Sequence, residues 1–177
     1  GQNLSDGHVT LGDNVWMETF LYDIIINANG AVTIGTGSIH SGGDIAINAG
    51  RGLLGDLSVA SDLIANRDVR LQASGSIAQS GSIIADENAT GAGHTITLIA
   101  DAGSITMAPA AQSQFGSLAQ GSGSIIYQTG SVAANRAGGD ITLGTLNAGL
   151  LGSVLVAADV AGVNGSGATI KSADISG

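Results

Sequence analysis

Apolar and polar positions alternate in short bursts along almost the whole chain. Two large apolar residues flank a different middle residue in Val9-Thr10-Leu11, Val32-Thr33-Ile34, Ile45-Ala46-Ile47, Leu57-Ser58-Val59, Val69-Arg70-Leu71, Ile96-Thr97-Leu98, Ile105-Thr106-Met107, Ile141-Thr142-Leu143 and Val154-Leu155-Val156. Successive side chains of an extended strand point to opposite faces, so each triplet predicts a strand that buries its two ends and turns its middle outward. The triplets starting at Val32, Ile45, Leu57 and Val69 follow one another at nearly constant spacing, and the same spacing returns between Ile141 and Val154. Such regularity predicts a repeat architecture rather than a mixed globular core.

The segments between triplets carry turn chemistry. Asn27-Ala28-Asn29-Gly30, Asn48-Ala49-Gly50, Asp101-Ala102-Gly103 and Asn147-Ala148-Gly149 follow strands and predict sharp corners of one recurring kind. Gly-Ser-apolar phrases at positions 37–39, 75–77, 81–83, 103–105, 123–125 and 130–132 mark re-entry into the next strand. One triplet and its corner make one step, so two steps predict a coil of about 25 residues and a chain of about seven coils. At roughly 4.8 Å per coil the rod is about 34 Å long. The Gly-Ser-Ile phrases could form a short third side, so the pattern fits either two or three strands per coil. Ala108 to Gly123 has no triplet and is expected to be an irregular coil or surface loop.

Composition narrows the class. Glycine makes up 29 of 177 residues with a single proline, yet 44% of the chain is hydrophobic, which is too aliphatic for a flexible linker. No stretch of helical length carries a helix-period apolar pattern free of glycine, so the expected fold is all-β: a parallel β-helix, right-handed by the preference of parallel crossovers. A β-sandwich would use similar short strands, but its core usually holds several aromatics and only 3% of this chain is aromatic. The net charge of −9 makes nucleic acid and anionic membrane surfaces poor partners. There is no cysteine, no apolar run of membrane-spanning length, and no signal-peptide pattern after Gly1, so a mature or excised chain is expected.

Phrases such as Gly42-Gly43-Asp44-Ile45-Ala46-Ile47-Asn48-Ala49-Gly50 and Gly138-Gly139-Asp140-Ile141-Thr142-Leu143, joined by Gly-Ser-Ile segments, run from about Ala31 onward. This arrangement resembles the haemagglutinin-type repeats of two-partner-secreted adhesins, the filamentous haemagglutinin family. The Asn-Pro-containing motifs of that family's secretion domain are not found here, so the resemblance is to a piece of shaft or to a diverged relative. It implies a right-handed parallel β-helix on a bacterial exterior, with attachment or scaffolding as its role.

The chemistry-bearing residues are dispersed. Polysaccharide lyases and hydrolases on β-helices need carboxylates clustered with a basic group, and usually aromatic platforms. The tightest grouping here is Asp62, Arg67, Asp68 and Arg70, which reads as surface ion pairs. No catalytic set is therefore expected, and a polysaccharide-active enzyme stands as the alternative. His8, His40 and His94 lie far apart in sequence, and no tandem calcium-binding nonapeptide occurs, so neither metal nor cofactor is expected. Outward threonines at 10, 33, 97, 106 and 142 raise an ice-binding alternative, although only Thr95 and Thr97 share one strand face.

One segment breaks the texture. Trp16, Phe20 and Tyr22 bring three of the chain's five aromatics into one short stretch. Residues 1–30 therefore read as an atypical first coil, a cap or a subunit contact, and residues 31–177 as the repeats. At the other end Ile170 and Ile175 sit in ordinary repeat grammar, which would leave a strand edge and core face open. The expected role is an extracellular structural protein, a fibre subunit or adhesin shaft. Its expected partner is a second copy added head-to-tail, or the continuation of a longer chain.

Overall fold

The computed structural model describes residues 7–88, 93–116, 123–162 and 168–176. Every triplet is a strand, and the inward and outward positions fall as the alternation requires. The first three strands are β1 (Val9–Leu11), β2 (Val15–Thr19) and β3 (Ile24–Asn27), followed by β4 (Val32–Ile34), β5 (Gly37–Ser41) and β6 (Ile45–Ala49). Each pairs in parallel with the strand three places later: β1 with β4, β2 with β5, β3 with β6. The chain thus turns through three sides before returning above its starting point.

The pattern continues through β7 (Leu57–Val59), β8 (Asp62–Ala65) and β9 (Val69–Ala73), then β10 (Ile77–Gln79), β11 (Ile83–Ala85) and β12 (Thr95–Ala100). Above them lie β13 (Ile105–Met107), β14 (Gln112–Phe115) and β15 (Ser124–Thr129). Next, β16 (Ile141–Asn147) runs unbroken through the corner, its first half pairing with β13 and its second with β14. The third ladder ends at β17 (Ser153–Ala157), which pairs with β15, and β18 (Ile170–Ser176) lies in register on β16. The molecule is an all-β parallel β-helix of three ladders; among the described residues there is no helix.

Three strands per coil resolves the alternatives left by the spacing. Triplets occupy the first and third sides, so two triplet steps make one full turn with a second-side strand between them. That side is written differently. Its inward pairs are Ile39 and Ser41, Leu63 and Ala65, Ile83 and Ala85, and Ser113 and Phe115, with a small residue in each pair. The short step from Ile96 to Ile105 is the passage around a corner from the third side to the first. The stretch expected to be an irregular coil or loop contains strand β14, whose Ser113 and Phe115 are buried; residues 117–122 of that stretch lie outside the described part.

The Asx-Ala-Gly phrases are not one corner. Ala49, Ala73 and Ala100 share a register on the third side, so Asn48 precedes this alanine whereas Asp101 follows it. Asn147 ends a second-side strand instead. Two of them share a local feature: Gly50 and Gly149 have φ of 74° and 79°, the left-handed region that glycine enters without penalty. The Gly130-Ser131-Val132 phrase also departs from expectation, forming a turn closed by the Ser131–Arg136 bridge, with Val132 exposed.

The core is a stacked column of Ile, Leu, Val and Ala from all three sides. Phe115 and Tyr127, the two aromatics outside the N-terminal segment, are buried within it. Three polar side chains meet there. The Tyr127 hydroxyl donates to Gln79 Oε1 at 2.7 Å and lies 2.7 Å from Ser113 Oγ, while Gln79 Nε2 donates to Ser113 Oγ at 3.2 Å and to the Gly81 carbonyl at 3.1 Å. One residue comes from each side, so the network ties the three ladders together. Each polar group has a partner, which is what permits their burial.

Candidate functional site

The corners carry most of the placed carboxylates, and several of them reach across to the neighbouring layer. Before the third-side strands, Asp23 Oδ1 accepts from the Asp44 N–H (2.9 Å), Asp44 Oδ1 from the Asp68 N–H (3.1 Å), and Asp68 Oδ1 from the Thr95 N–H (2.8 Å). Asp56, Asp62 and Asp140 make the same bond to Ser76, Ser82 and Thr169 (2.7, 2.8 and 2.8 Å). These aspartates satisfy corner N–H groups that fall outside the ladders. The Asp44 N–H and the Arg67 guanidinium hold the Asp23 carboxyl below the usual carboxylate range, and the Thr169 N–H does the same for Asp140.

Ion pairing differs from the sequence reading. Arg67 bridges Asp23 (2.8 Å) and Asp44 (3.1 Å) in the two preceding layers rather than joining Asp62 or Asp68. Arg70 bonds Gln72 Oε1 (2.6 Å) on its own strand. Stacking, which sequence distance hides, decides these partners. The same holds for the histidines: His40 Nε2 lies 2.6 Å from Glu87 Oε2, and His94 lies beside Asp68 (3.4 Å) and Asp86 (4.0 Å). His8 Nδ1 accepts from the Ala31 N–H at 2.9 Å. Among the described residues no three His, Asp or Glu side chains gather as a metal-binding group.

The predicted contact residues fall in two different settings. Ile170 and Ile175 continue the inward rows of Ile141 and Leu146, which are fully buried, yet they are themselves 48% and 44% exposed. Among the described residues β18 is paired on one side only. At the opposite end β1, β2 and β3 are likewise paired on one side among the described residues, and the inward Val9, Leu11, Val15 and Met17 are half-buried. Trp16, Phe20 and Tyr22 do not cover that core face. They point outward, 72%, 81% and 76% exposed, with Trp16 on β2 and the other two on the corner before β3. The Thr19 hydroxyl donates to the Tyr22 carbonyl and shapes this corner.

Sequence reading missed the apolar neighbours of these residues. Leu21 and Ile25 are exposed beside the aromatics, and Leu150 and Leu151 are exposed on the corresponding second-to-third-side corner between β16 and β17. A signal existed. The tetrapeptide Gly-Leu-Leu-Gly occurs at positions 52–55 and 149–152, and all four leucines are at least half exposed. Stacking also assembles something the sequence disperses: Thr10, Thr33, Ser58, Thr106 and Thr142 fall in one outward row of the first ladder, interrupted by Ala78. Comparison with family models, with curated proteins and with solved structures finds no match to this chain.

Proposed function

We propose that the chain is an extracellular structural module, a β-solenoid that serves as the subunit of a bacterial surface fibre or as part of an adhesin shaft, and that it extends by end-on stacking of like layers. The observation that carries this reading is the pair of half-exposed isoleucines, Ile170 and Ile175, at interior positions of a strand paired on one side. Buried apolar surface contributes roughly 25 cal/mol per Å², so covering these side chains with another layer is favourable. All ladders are parallel, so a second copy translated along the axis presents the free side of β1 to the free side of β18 with matching strand direction. Such a contact is heterologous and need not close, which produces a filament.

The exposed apolar residues agree with this polarity. Phe20, Leu21 and Tyr22 lie on the second-to-third-side corner at one end, and Leu150 and Leu151 lie on that corner near the other. Stacking head-to-tail brings these clusters towards each other. Negative-stain microscopy and sedimentation of the purified chain are expected to reveal concentration-dependent filaments. The double variant Ile170→Lys/Ile175→Lys should leave only short particles, because each buried lysine charge would lack a partner. Wild-type particles that stay one copy long at every concentration would overturn head-to-tail assembly.

The hydroxyl row on the first ladder favours a second reading, in which that face orders a water layer against ice. Repeats of about 4.8 Å set its spacing. Under this reading the protein depresses the freezing point below the melting point, and Thr33→Lys removes the effect. A solution that freezes and melts at one temperature excludes it.

A further inference from the structure

The outer face of the third ladder presents one side chain per layer in each of two rows. One row runs Ile25, Ala46, Arg70 and Thr97; the next runs Asn27, Asn48, Gln72 and Ile99. The small side chain of Ala46, between Ile25 and Arg70, leaves a hollow. Two recesses of about 560 and 420 Å³ share Ala46 and Arg70, so Arg70 stands between them. The larger is walled by the amides of Asn27, Asn48 and Gln72, with Arg51 and Asp101 at its corner edge. Recesses of this volume with a few convergent polar groups suit small ligands.

Lys and Arg together number 5 and the net charge is −9, yet in the larger recess Arg51 and Arg70 face one carboxylate, Asp101, while Asp44 and Asp68 edge the smaller recess. Arg136 reaches the edge of the larger recess from a higher layer, where Nη1 donates to the Ser74 carbonyl at 3.4 Å. Among the described residues none of these three guanidinium groups sits in an ion pair, whereas Arg67, one corner away, is engaged by Asp23 and Asp44. The amides are pre-ordered: Asn48 Nδ2 donates to Asn27 Oδ1 at 2.8 Å, and Gln72 Oε1 accepts from Arg70.

We propose that this face binds a carboxylate-bearing saccharide, a uronate oligomer. Arg70 and Arg51 take the carboxylate, since the guanidinium fork matches it with two parallel hydrogen bonds. The row Asn27, Asn48 and Gln72 takes ring hydroxyls, because each amide offers both a donor and an acceptor. A peptide fits less well. Its usual gain on a sheet is main-chain pairing at a free edge, and here the backbone of β6 and β9 is already paired on both sides. Ile25 and Asn27 belong to the end strand β3, but Arg51, Arg70 and Gln72 lie in higher layers, so substitutions at Arg70 test this site apart from end-on assembly.

The test is calorimetric titration of the full chain with a galacturonate tetrasaccharide, alongside a neutral glucose tetrasaccharide and a tetraglutamate peptide. Saturable binding of the uronate alone is expected. Arg70→Ala should weaken it by at least about tenfold, as loss of a charge-assisted hydrogen bond implies, and Arg70→Lys should restore part of it. Lys171→Ala removes the same charge at a distant layer and should leave affinity unchanged; circular dichroism checks that each exposed-site variant keeps its fold. Absence of saturable heat, equal response to the neutral sugar or the peptide, or full affinity in Arg70→Ala would overturn the proposal.

Discussion

Replacing Tyr127 with alanine is expected to destabilise the protein by about 4–5 kcal/mol, read from denaturant midpoints at constant slope. The side chain is fully buried, and its ring fills the column where the three ladders meet. Removing it leaves a cavity, strands Gln79 Oε1, which loses the hydroxyl 2.7 Å away, and leaves Ser113 Oγ with its longer bond from Gln79 Nε2 at 3.2 Å. The Tyr127→Phe variant separates the two effects. It keeps the ring and should cost about 1–3 kcal/mol, the desolvation of buried polar groups left unpaired. Adding Gln79→Leu and Ser113→Ala to Tyr127→Phe should recover part of that loss, because all three side chains of the network are then apolar.

The same residue sets an alkaline limit. Burial raises the Tyr127 phenol well above its ordinary value, against the opposing hydrogen bonds from Ser113 and Gln79. The unfolded phenol ionises near pH 10 while the folded one stays protonated, so the stabilisation is complete below about pH 10 and declines as pH rises beyond it. In Tyr127→Phe this component of the alkaline decline should be absent. Equal alkaline slopes in the two proteins would contradict the burial.

Gly81→Ala is expected to cost more than about 3 kcal/mol, although it adds a single methyl group. A Cβ at Gly81 would penetrate the backbone carbonyl of Ser61 in the layer beneath. That carbonyl cannot retreat freely, because Ser61 Oγ is anchored to the Gly35 carbonyl at 2.6 Å and the flanking strands β8 and β11 are paired in register. Relief requires pulling the layers apart, which exceeds ordinary overpacking. Gly12→Ala is the matched control: nothing lies within 4 Å of the new methyl group, and stability should stay within about 0.5 kcal/mol. Equal melting temperatures for the two variants would show that the corners do not set the layer spacing.

Much of the fold was legible because strand alternation is local. Val32-Thr33-Ile34 states which side chains face inward without reference to any other residue, and the structure buries Val32 and Ile34 and exposes Thr33. The second side was harder to read. Gln112-Ser113-Gln114-Phe115 has a serine at a core position, acceptable only because Gln79 and Tyr127 meet it there. Gln79 is hidden for the same reason: a buried amide looks like a solvent residue until its partners are in place.

The candidate surfaces were legible in kind but not in arrangement. Trp16, Phe20 and Tyr22 stood out by composition alone, yet their outward direction depends on the phase of β2 and on the turn that follows it. Asp23, Asp44 and Arg67 each belong to a different layer, well separated along the chain, and become one ion-paired stack. Ala46, Arg70, Asn48 and Gln72 become a recess the same way.

By itself the chain determined the strands of the first and third sides and which of their side chains face inward, because these follow from side-chain period and turn chemistry within a short window. Only the tertiary structure decided the number of sides, the partners of the buried polar groups and the rows that line each outer face. Those depend on register between strands a full coil apart, such as β3 with β6 and β4 with β7. Corner lengths vary, so the stacked partners Leu57 and Ile77 are far closer along the chain than the stacked partners Ile105 and Ile141, and that variation erases the register from the linear pattern.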